Sequence, residues 1–190
     1  MPRRSAVLVL FGEGADGPDL LLTERSHTMR SHPGQVAFPG GALEPGETPA
    51  QAALREAEEE AGVKPDGVDV LGQLPEVYLP PSNNAVSPVV GWWENPSEAH
   101  PTSLDEVRAV YRVPIGELRD PAHRITVTSP SNGWRLPGFL IGPDKDVILW
   151  GFTGGIVQAF LGYLGWLEDV PNAPEVDLPA YMLARPERTR

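Results

Sequence analysis

The stretch GGALEPGETPAQAALREAEEEAGV, residues 40–63, decides how this chain folds and what it can do. It opens with two glycines and closes on a run of carboxylates, which are Glu56, Glu58, Glu59 and Glu60. Like charges this close together repel one another. Solvent, neighbouring arginines or a metal ion must therefore offset them, and the function depends on which of the three does so.

The second half of the stretch carries the signals of a capped helix from Pro49 to about Ala61. Thr48 is a suitable N-cap, and Gln51 completes a capping box three residues later. Proline is favoured at the first helical position. Gly62 is a suitable residue to end the helix. The helix is therefore predicted with both of its ends defined.

Such a helix gathers three of the four glutamates on one face. Successive residues turn by ~100°, so Glu56, Glu59 and Glu60 point the same way while Glu58 points elsewhere. Mg²⁺ prefers oxygen ligands and commonly joins carboxylates to substrate phosphates. An arbitrary acidic run is more often a solvated surface, and Arg55 can pair with Glu59 one turn later.

The charged positions of residues 41–63 fit the pattern G-x5-E-x7-R-E-U-x-E-E-x-G-U, where U is a bulky apolar residue. This pattern resembles the Nudix box, although Ala57 is smaller than the usual aliphatic residue. The resemblance implies an α/β fold, a Nudix-type α/β/α sandwich with a mixed central β-sheet, and hydrolysis of a nucleoside diphosphate linked to another moiety. It also implies that Glu56, Glu59 and Glu60 bind Mg²⁺ or Mn²⁺. The catalytic residues that it implies are Glu47, Arg55, Glu59 and Glu60, with Glu47 and Arg55 orienting the glutamates.

The preceding segment, LLTERSHTMRSHPGQVAFPGG at residues 21–41, narrows the substrate. It fits L-L-T-x-R-S-x3-R-x3-G-x3-F-P-G-G, which is similar to a pattern of the coenzyme A pyrophosphatase subgroup of Nudix hydrolases. Coenzyme A carries a pyrophosphate and a 3′-phosphate, and arginine forks pair with phosphate oxygens. We predict that Arg25 and Arg30 contact the substrate, and that Gly40 and Gly41 let its phosphates approach the backbone. The alternative is that the two arginines only offset the glutamates.

Several assignments stay open at this stage. The rival substrates are ADP-ribose, dinucleotides and oxidised coenzyme A derivatives. Rival classes of protein are a nucleotide-binding module without activity and an acidic interaction domain. A carboxylate must accept the proton of the attacking water, and Glu59, Glu60 and Glu106 are the candidates. His27 and His32 are interpreted as polar loop residues.

Composition restricts partners and compartment. The chain has 190 residues, a length that suits one domain, and a formal net charge of −11, which argues against nucleic acid as a partner. It has no cysteine, so disulfides and thiolate metal sites are excluded. Neither the short apolar run 6–11 nor the C-terminal ERTR is a targeting address. We expect a cytoplasmic protein whose partner is a small-molecule substrate, with its oligomeric state left open.

The remaining elements are strands and one more helix. The uncharged stretch 148–167 is about long enough to span a bilayer. Its glycines and helical apolar spacing favour instead an amphipathic helix on the core, Thr153–Leu167, with Thr153 as N-cap and no membrane contact.

We predict a Nudix domain over residues 1–169 and a Pro-rich tail over 170–190. Strands are predicted at 6–11, 20–23, 35–38, 68–74, 85–93, 107–113, 125–128 and 139–141.

Overall fold

The computed structural model describes residues 2–30, 32–129 and 133–183, so residues 184–190 of the predicted tail lie outside it. The strands of the larger sheet are β1 (Arg3–Gly14), β2 (Gly17–Arg25), β3 (Val36–Ala37), β4 (Gly40–Ala42), β5 (Val68–Gln73), β6 (Val77–Leu79), β7 (Asn84–Trp93) and β8 (Val107–Pro114). Those of the smaller sheet are β9 (Arg124–Thr128), β10 (Arg135–Ile141), β11 (Val147–Leu149) and β12 (Glu175–Asp177). The α-helices in this part of the chain are α1 (Pro49–Ala61), α2 (Ile115–Arg119), α3 (Gly151–Tyr163) and α4 (Ala180–Leu183).

The larger sheet is mixed because its central strand has neighbours of both orientations. β1 pairs antiparallel with β2 and parallel with β7, where the ladder runs from Arg3 opposite Asn84 to Gly12 opposite Trp93. The order along the sheet is β3-β2-β1-β7-β5. β4 also pairs with β1, and β8 with β2. The short β4 thus fixes the glycine pair beside the centre of the sheet.

Alternation along β2 separates two cores. Leu21 faces the side on which α1 lies, while Leu20 and Leu22 face the side of α3 and the smaller sheet. The side toward α1 packs against its fully buried alanines, which are Ala52, Ala53, Ala57 and Ala61. The opposite side packs against residues that include Phe139, Leu149, Val157 and Leu161. These layers confirm the predicted α/β/α sandwich around a mixed sheet.

The last long helix, α3, differs from its prediction at both ends. Trp150 is the capping residue, and Thr153 is 5% exposed inside the helix, so the assignment of Thr153 as N-cap is wrong. Gly151, with φ of 68°, turns the chain from β11 into the helix before Thr153 is reached. Gly165, with φ of 69°, follows the helix in the left-handed conformation that ends helices, so Leu167 lies outside. Among the described residues, no helix has the length and apolar character needed to cross a membrane.

The segment after residue 170 packs on the smaller sheet. β12 runs parallel to β9, with Val176 opposite Val127. Leu178 and Met182 are 4% and 8% exposed, and they share a core cluster with Ile125. The domain boundary at residue 169 stays a prediction, but the described part of the segment beyond it contributes to the packed structure.

Candidate active site

Helix α1 presents the glutamates because its two ends and its buried side are fixed. The Thr48 hydroxyl accepts the Gln51 backbone N–H at 3.3 Å, and the Gln51 side chain accepts the Thr48 N–H at 2.9 Å, so the capping box is confirmed. Gly62 ends the helix at φ of 70°. The alanine side of the helix faces the sheet, which turns Glu56 and Glu60 toward β4.

Arg55 links three carboxylates at the start of the site. Its Nε and Nη2 donate to the two oxygens of Glu47 at 2.9 and 3.1 Å, forming a fork. Its Nη1 donates to Glu56 at 2.8 Å and to Glu59 at 3.3 Å, while Nη2 also reaches the carbonyl of Ala42. The Arg55 hydrogen bond lowers the pKa of the Glu47 carboxyl, and the Glu47 bond raises that of the guanidinium. Arg55 is therefore paired with Glu47 and with two glutamates of α1, and the orienting role of this pair stays a prediction.

Glu60, like Glu56, is partly buried, whereas Glu59 is exposed. The Oε2 of Glu60 accepts the backbone N–H of Gly40 at 3.1 Å. Burial raises the pKa of Glu60 to about 7, helped by the charges of Glu56 and Glu106 and opposed by the Gly40 bond and the charge of Arg25. A carboxyl in this setting is suited to hold a proton near neutral pH or to bind a cation.

The structure gives the two glycines a packing role. A Cβ on Gly41 would lie 2.3 Å from Oε1 of Glu56, and a Cβ on Gly40 would lie 2.3 Å from the carbonyl oxygen of Ala6. Gly41 thus leaves room for a glutamate carboxylate, and Gly40 lets β4 approach β1. Contact of either glycine with substrate stays a prediction.

The carboxylates of α1 have the chemistry to bind a divalent cation, but their side chains do not point toward one common position. In the described ranges, no three side chains of His, Asp or Glu are grouped so as to hold a metal ion. Glu56 and Glu59 are turned toward Arg55, and the side chain of Glu59 is 59% exposed. Mg²⁺ and Mn²⁺ prefer carboxylate oxygens, and the half-buried Glu60 gains from a cation because its charge is otherwise disfavoured. The assignment of Glu56, Glu59 and Glu60 as ligands stays a prediction.

The two arginines of the upstream segment have different positions. Arg25 ends β2 at a shift in its register with β8, and its Nε is buried without a hydrogen-bond partner. Its charge also lowers the pKa of Glu60, so the guanidinium acts electrostatically on that carboxyl. Arg30 lies in an exposed bend, and no hydrogen bond or ion pair ties it to α1 within the described ranges. Contact of either arginine with the substrate stays a prediction.

The sequence did not lead us to predict a polar network that lies on the other side of β2. The buried Glu24 accepts hydrogen bonds from His27, at 3.0 Å, and from the hydroxyl of Tyr111. Arg108 lies 3.2 Å from both His27 ring nitrogens, and the Tyr181 ring stacks on that imidazole at 4.4 Å. Burial, followed by the Glu24 bond, raises the pKa of Tyr111. The network ties the upstream loop to β8 and to α4.

The sequence of β2 contains a signal that predicts this polar network. Glu24 continues the inward alternation of Leu20 and Leu22, so a carboxylate stands where a buried apolar side chain is expected. A buried carboxylate needs partners, which predicts a network although not its members.

Comparison with known proteins identifies the family of the chain. A family model described as the NUDIX domain matches residues 1–128. The chain belongs to the NUDIX domain family.

The similarity of this Nudix protein to its relatives extends beyond the 128 residues that the family model matches. It is 39% identical over 168 residues to "Uncharacterized Nudix hydrolase NudL" of Cronobacter sakazakii, which covers 86% of this chain and 83% of that protein. It is 42% identical over 127 residues to Nudix hydrolase 3 of Caenorhabditis elegans, which covers 65% of this chain and 53% of the relative. The chain thus spans about half the length of the C. elegans protein.

Solved structures share the fold. A MutT/nudix family protein from Enterococcus faecalis has a TM-score of 0.54 at 19% identity and covers 87% of this chain and 63% of that chain. The Nudix hydrolase RenU from M. Smegmatis has a TM-score of 0.50 at 26% identity, with 58% and 70% covered. The family and the relatives support hydrolysis of a pyrophosphate-containing small molecule, and Nudix hydrolases generally use divalent metals such as Mg²⁺ or Mn²⁺.

Proposed function

We propose that this Nudix protein hydrolyses the pyrophosphate bond of coenzyme A or a derivative, giving 3′,5′-ADP and 4′-phosphopantetheine or its acyl form. The observation that carries the proposal is the position of Arg25. Its charge lowers the pKa of Glu60 in α1, and its Nε is buried without a hydrogen-bond partner. The upstream pattern that includes Arg25 supports coenzyme A among pyrophosphate substrates.

Arg25 would bind the substrate phosphates through its planar fork. The guanidinium would donate charge-assisted hydrogen bonds to phosphate oxygens once the substrate is bound. Arg55 holds the carboxylates of Glu56 and Glu59 within reach of the same phosphates. Mg²⁺ or Mn²⁺ held by Glu56, Glu59 and Glu60 would neutralise phosphate charge and acidify a water.

The proton of the attacking water needs an acceptor. The candidates are Glu59, Glu60 and Glu106, and a cation bound to Glu59 or Glu60 would lower the basicity of that carboxylate. Glu106 is exposed, but its charge reaches Glu60. Water oxygen attacks one phosphorus, the bond from that phosphorus to the bridging oxygen breaks, and the other phosphate leaves with the bridging oxygen.

A substrate panel tests the proposal. Coenzyme A, an acyl-coenzyme A, dephospho-coenzyme A and ADP-ribose are incubated with Mg²⁺ or Mn²⁺, and the products are separated by chromatography. Because Arg25 and the upstream loop are assigned to phosphates, coenzyme A should exceed dephospho-coenzyme A in kcat/KM by at least about tenfold. Faster cleavage of ADP-ribose would overturn the coenzyme A assignment. No metal-dependent cleavage of any of them would favour a binding module.

Two neighbouring variants test the site within α1. Glu60→Gln keeps the shape of the side chain but removes its charge, and should lower kcat by at least about a hundredfold. Glu58→Gln is the control, since Glu58 is exposed and points away from β4, and should leave kcat within about twofold. Equal activity of the two variants would sink the assignment of Glu60.

A further inference from the structure

A second polar cleft lies outside the candidate active site, between the smaller sheet, the later part of α3 and the chain that follows that helix. Its volume is about 310 Å³. Ile125, Leu167 and Val170 form apolar parts of its wall, while Arg124 and Gln158 supply side-chain donors. It shares no residue with the predicted catalytic, substrate-binding and metal sets. Its chemistry must therefore be considered by itself.

Arg124, at the start of β9, is the unusual residue of this cleft. It is 8% exposed, and its guanidinium lies 4.7 Å from the centroid of the Phe139 ring. Its Nε is buried without a hydrogen-bond partner, and no carboxylate of the described ranges forms an ion pair with it. By contrast, Arg112 and Arg135 pair directly with Asp19 and Glu175.

A buried guanidinium without a counter-ion is unfavourable, because arginine stays charged at any physiological pH. Burial lowers the pKa of Arg124, and the charge of Asp169 only partly opposes this. The guanidinium packs over the Phe139 ring in the wall of the cleft. A ligand that brings one negative charge would supply the missing partner.

The cleft walls define which anion fits. Glu168 and Asp169 line the same cleft and repel anions, and they repel a ligand with two negative charges, such as phosphate at neutral pH, more strongly than a ligand with one. The apolar wall formed by Ile125, Leu167 and Val170 suits a short hydrocarbon chain. A carboxylate matches the planar fork of arginine. We propose that this cleft binds a small organic monocarboxylate, with its carboxylate on Arg124 and its chain against the apolar wall.

Calorimetric titration of the full chain with hexanoate tests the proposal. Wild-type protein should bind hexanoate, and Arg124→Met should weaken binding by at least about tenfold, which corresponds to loss of a charge-assisted hydrogen bond. Arg135→Met, which removes an exposed arginine of the same sheet, is the matched control and should bind within about twofold of wild type. Equal binding by Arg124→Met, or no binding by wild type up to about 10 mM, would overturn the proposal.

Two further measurements test the proposal even if Arg124→Met does not fold. Asp169→Asn removes a negative charge from an exposed rim residue and should tighten hexanoate binding by about twofold or more. Unchanged or weaker binding by that variant contradicts the assigned electrostatics. Tighter binding of inorganic phosphate than of hexanoate to the wild type would contradict the carboxylate assignment.

Discussion

Glu60 shows how one side chain can reduce stability in favour of function. Burial disfavours its charge, yet a charged carboxylate is what a divalent cation needs. The neighbouring Glu56 adds to the repulsion, and a single backbone N–H from Gly40 offsets part of it. The free energy of unfolding of the metal-free protein should therefore depend on the protonation of Glu60, and so on pH.

We expect the metal-free protein to lose stability as pH rises. The pKa of Glu60 is about 7 in the folded protein against an ordinary value of 4.5, so above pH 4.5 the folded state holds a proton that the unfolded chain releases. Stability then falls across the window from 4.5 to about 7, by roughly 2–3 kcal/mol. Urea unfolding in chelator at pH 5 and pH 8 should show this loss in wild type and a smaller one in Glu60→Gln. A difference between the two proteins that does not change with pH would refute it.

Gly41→Ala should lower activity with little effect on the fold. Its Cβ would fall 2.3 Å from Oε1 of Glu56, the mobile end of a side chain, so the carboxylate must move while the backbone stays. Displacements of this size can reduce kcat by about tenfold to a hundredfold. Gly72→Ala in β5, where nothing lies within 4 Å of the new Cβ, is the control for kinetics and for thermal unfolding. Normal kcat in Gly41→Ala would show that the close fit does not matter.

Helix α1 was predictable because its determinants lie within the helix and its two ends. The Thr48–Gln51 box, the proline at the first position and Gly62 act over three or four residues, so local sequence contains them all. Helix α3 was less predictable because a glycine turn defined by β11 decides where it begins. Thr153 has the chemistry of a cap, but tertiary context placed it inside the helix.

Thr48→Ala tests the cap that orients α1. Loss of the hydroxyl leaves the Gln51 N–H without its acceptor and should reduce the free energy of unfolding by about 1 kcal/mol. Thr48→Ser keeps the acceptor and should stay within a few tenths of wild type. Chemical denaturation of both variants measures the difference. Equal stability would mean that the sheet, not the cap, holds the start of the helix.

The carboxylate face of α1 follows from helical geometry alone, whereas the contacts around it require the whole chain. The approach of Gly40 to Glu60 and the placement of Arg25 depend on pairing of β4 with β1 and of β2 with β8. The parallel pairing of β12 with β9 joins segments far apart in sequence, and no short pattern specifies such a partner.

The packing of the C-terminal segment predicts that its apolar residues contribute to global stability. Leu178 is 4% exposed in the cluster with Ile125 and Val127, so Leu178→Ala should lower the free energy of unfolding by about 2–4 kcal/mol. Leu104→Ala, at a leucine that is 72% exposed, should change it by less than about 0.5 kcal/mol. Equal small effects in urea unfolding would show that the segment behaves as a detached tail.

The parallel ladder between β1 and β7 also has a kinetic consequence. Every pair in it, from Arg3 with Asn84 to Gly12 with Trp93, joins residues that are distant in sequence. Closing so large a loop precedes any gain from the contacts and slows folding. α1 can begin to form from its own turns, but Gly40 reaches Glu60 only where β4 lies along β1. β1 therefore needs two non-local pairings, with β4 for the site and with β7 for the sheet, and a chain interrupted before the pairing with β7 would leave the backbone edge of β1 unpaired.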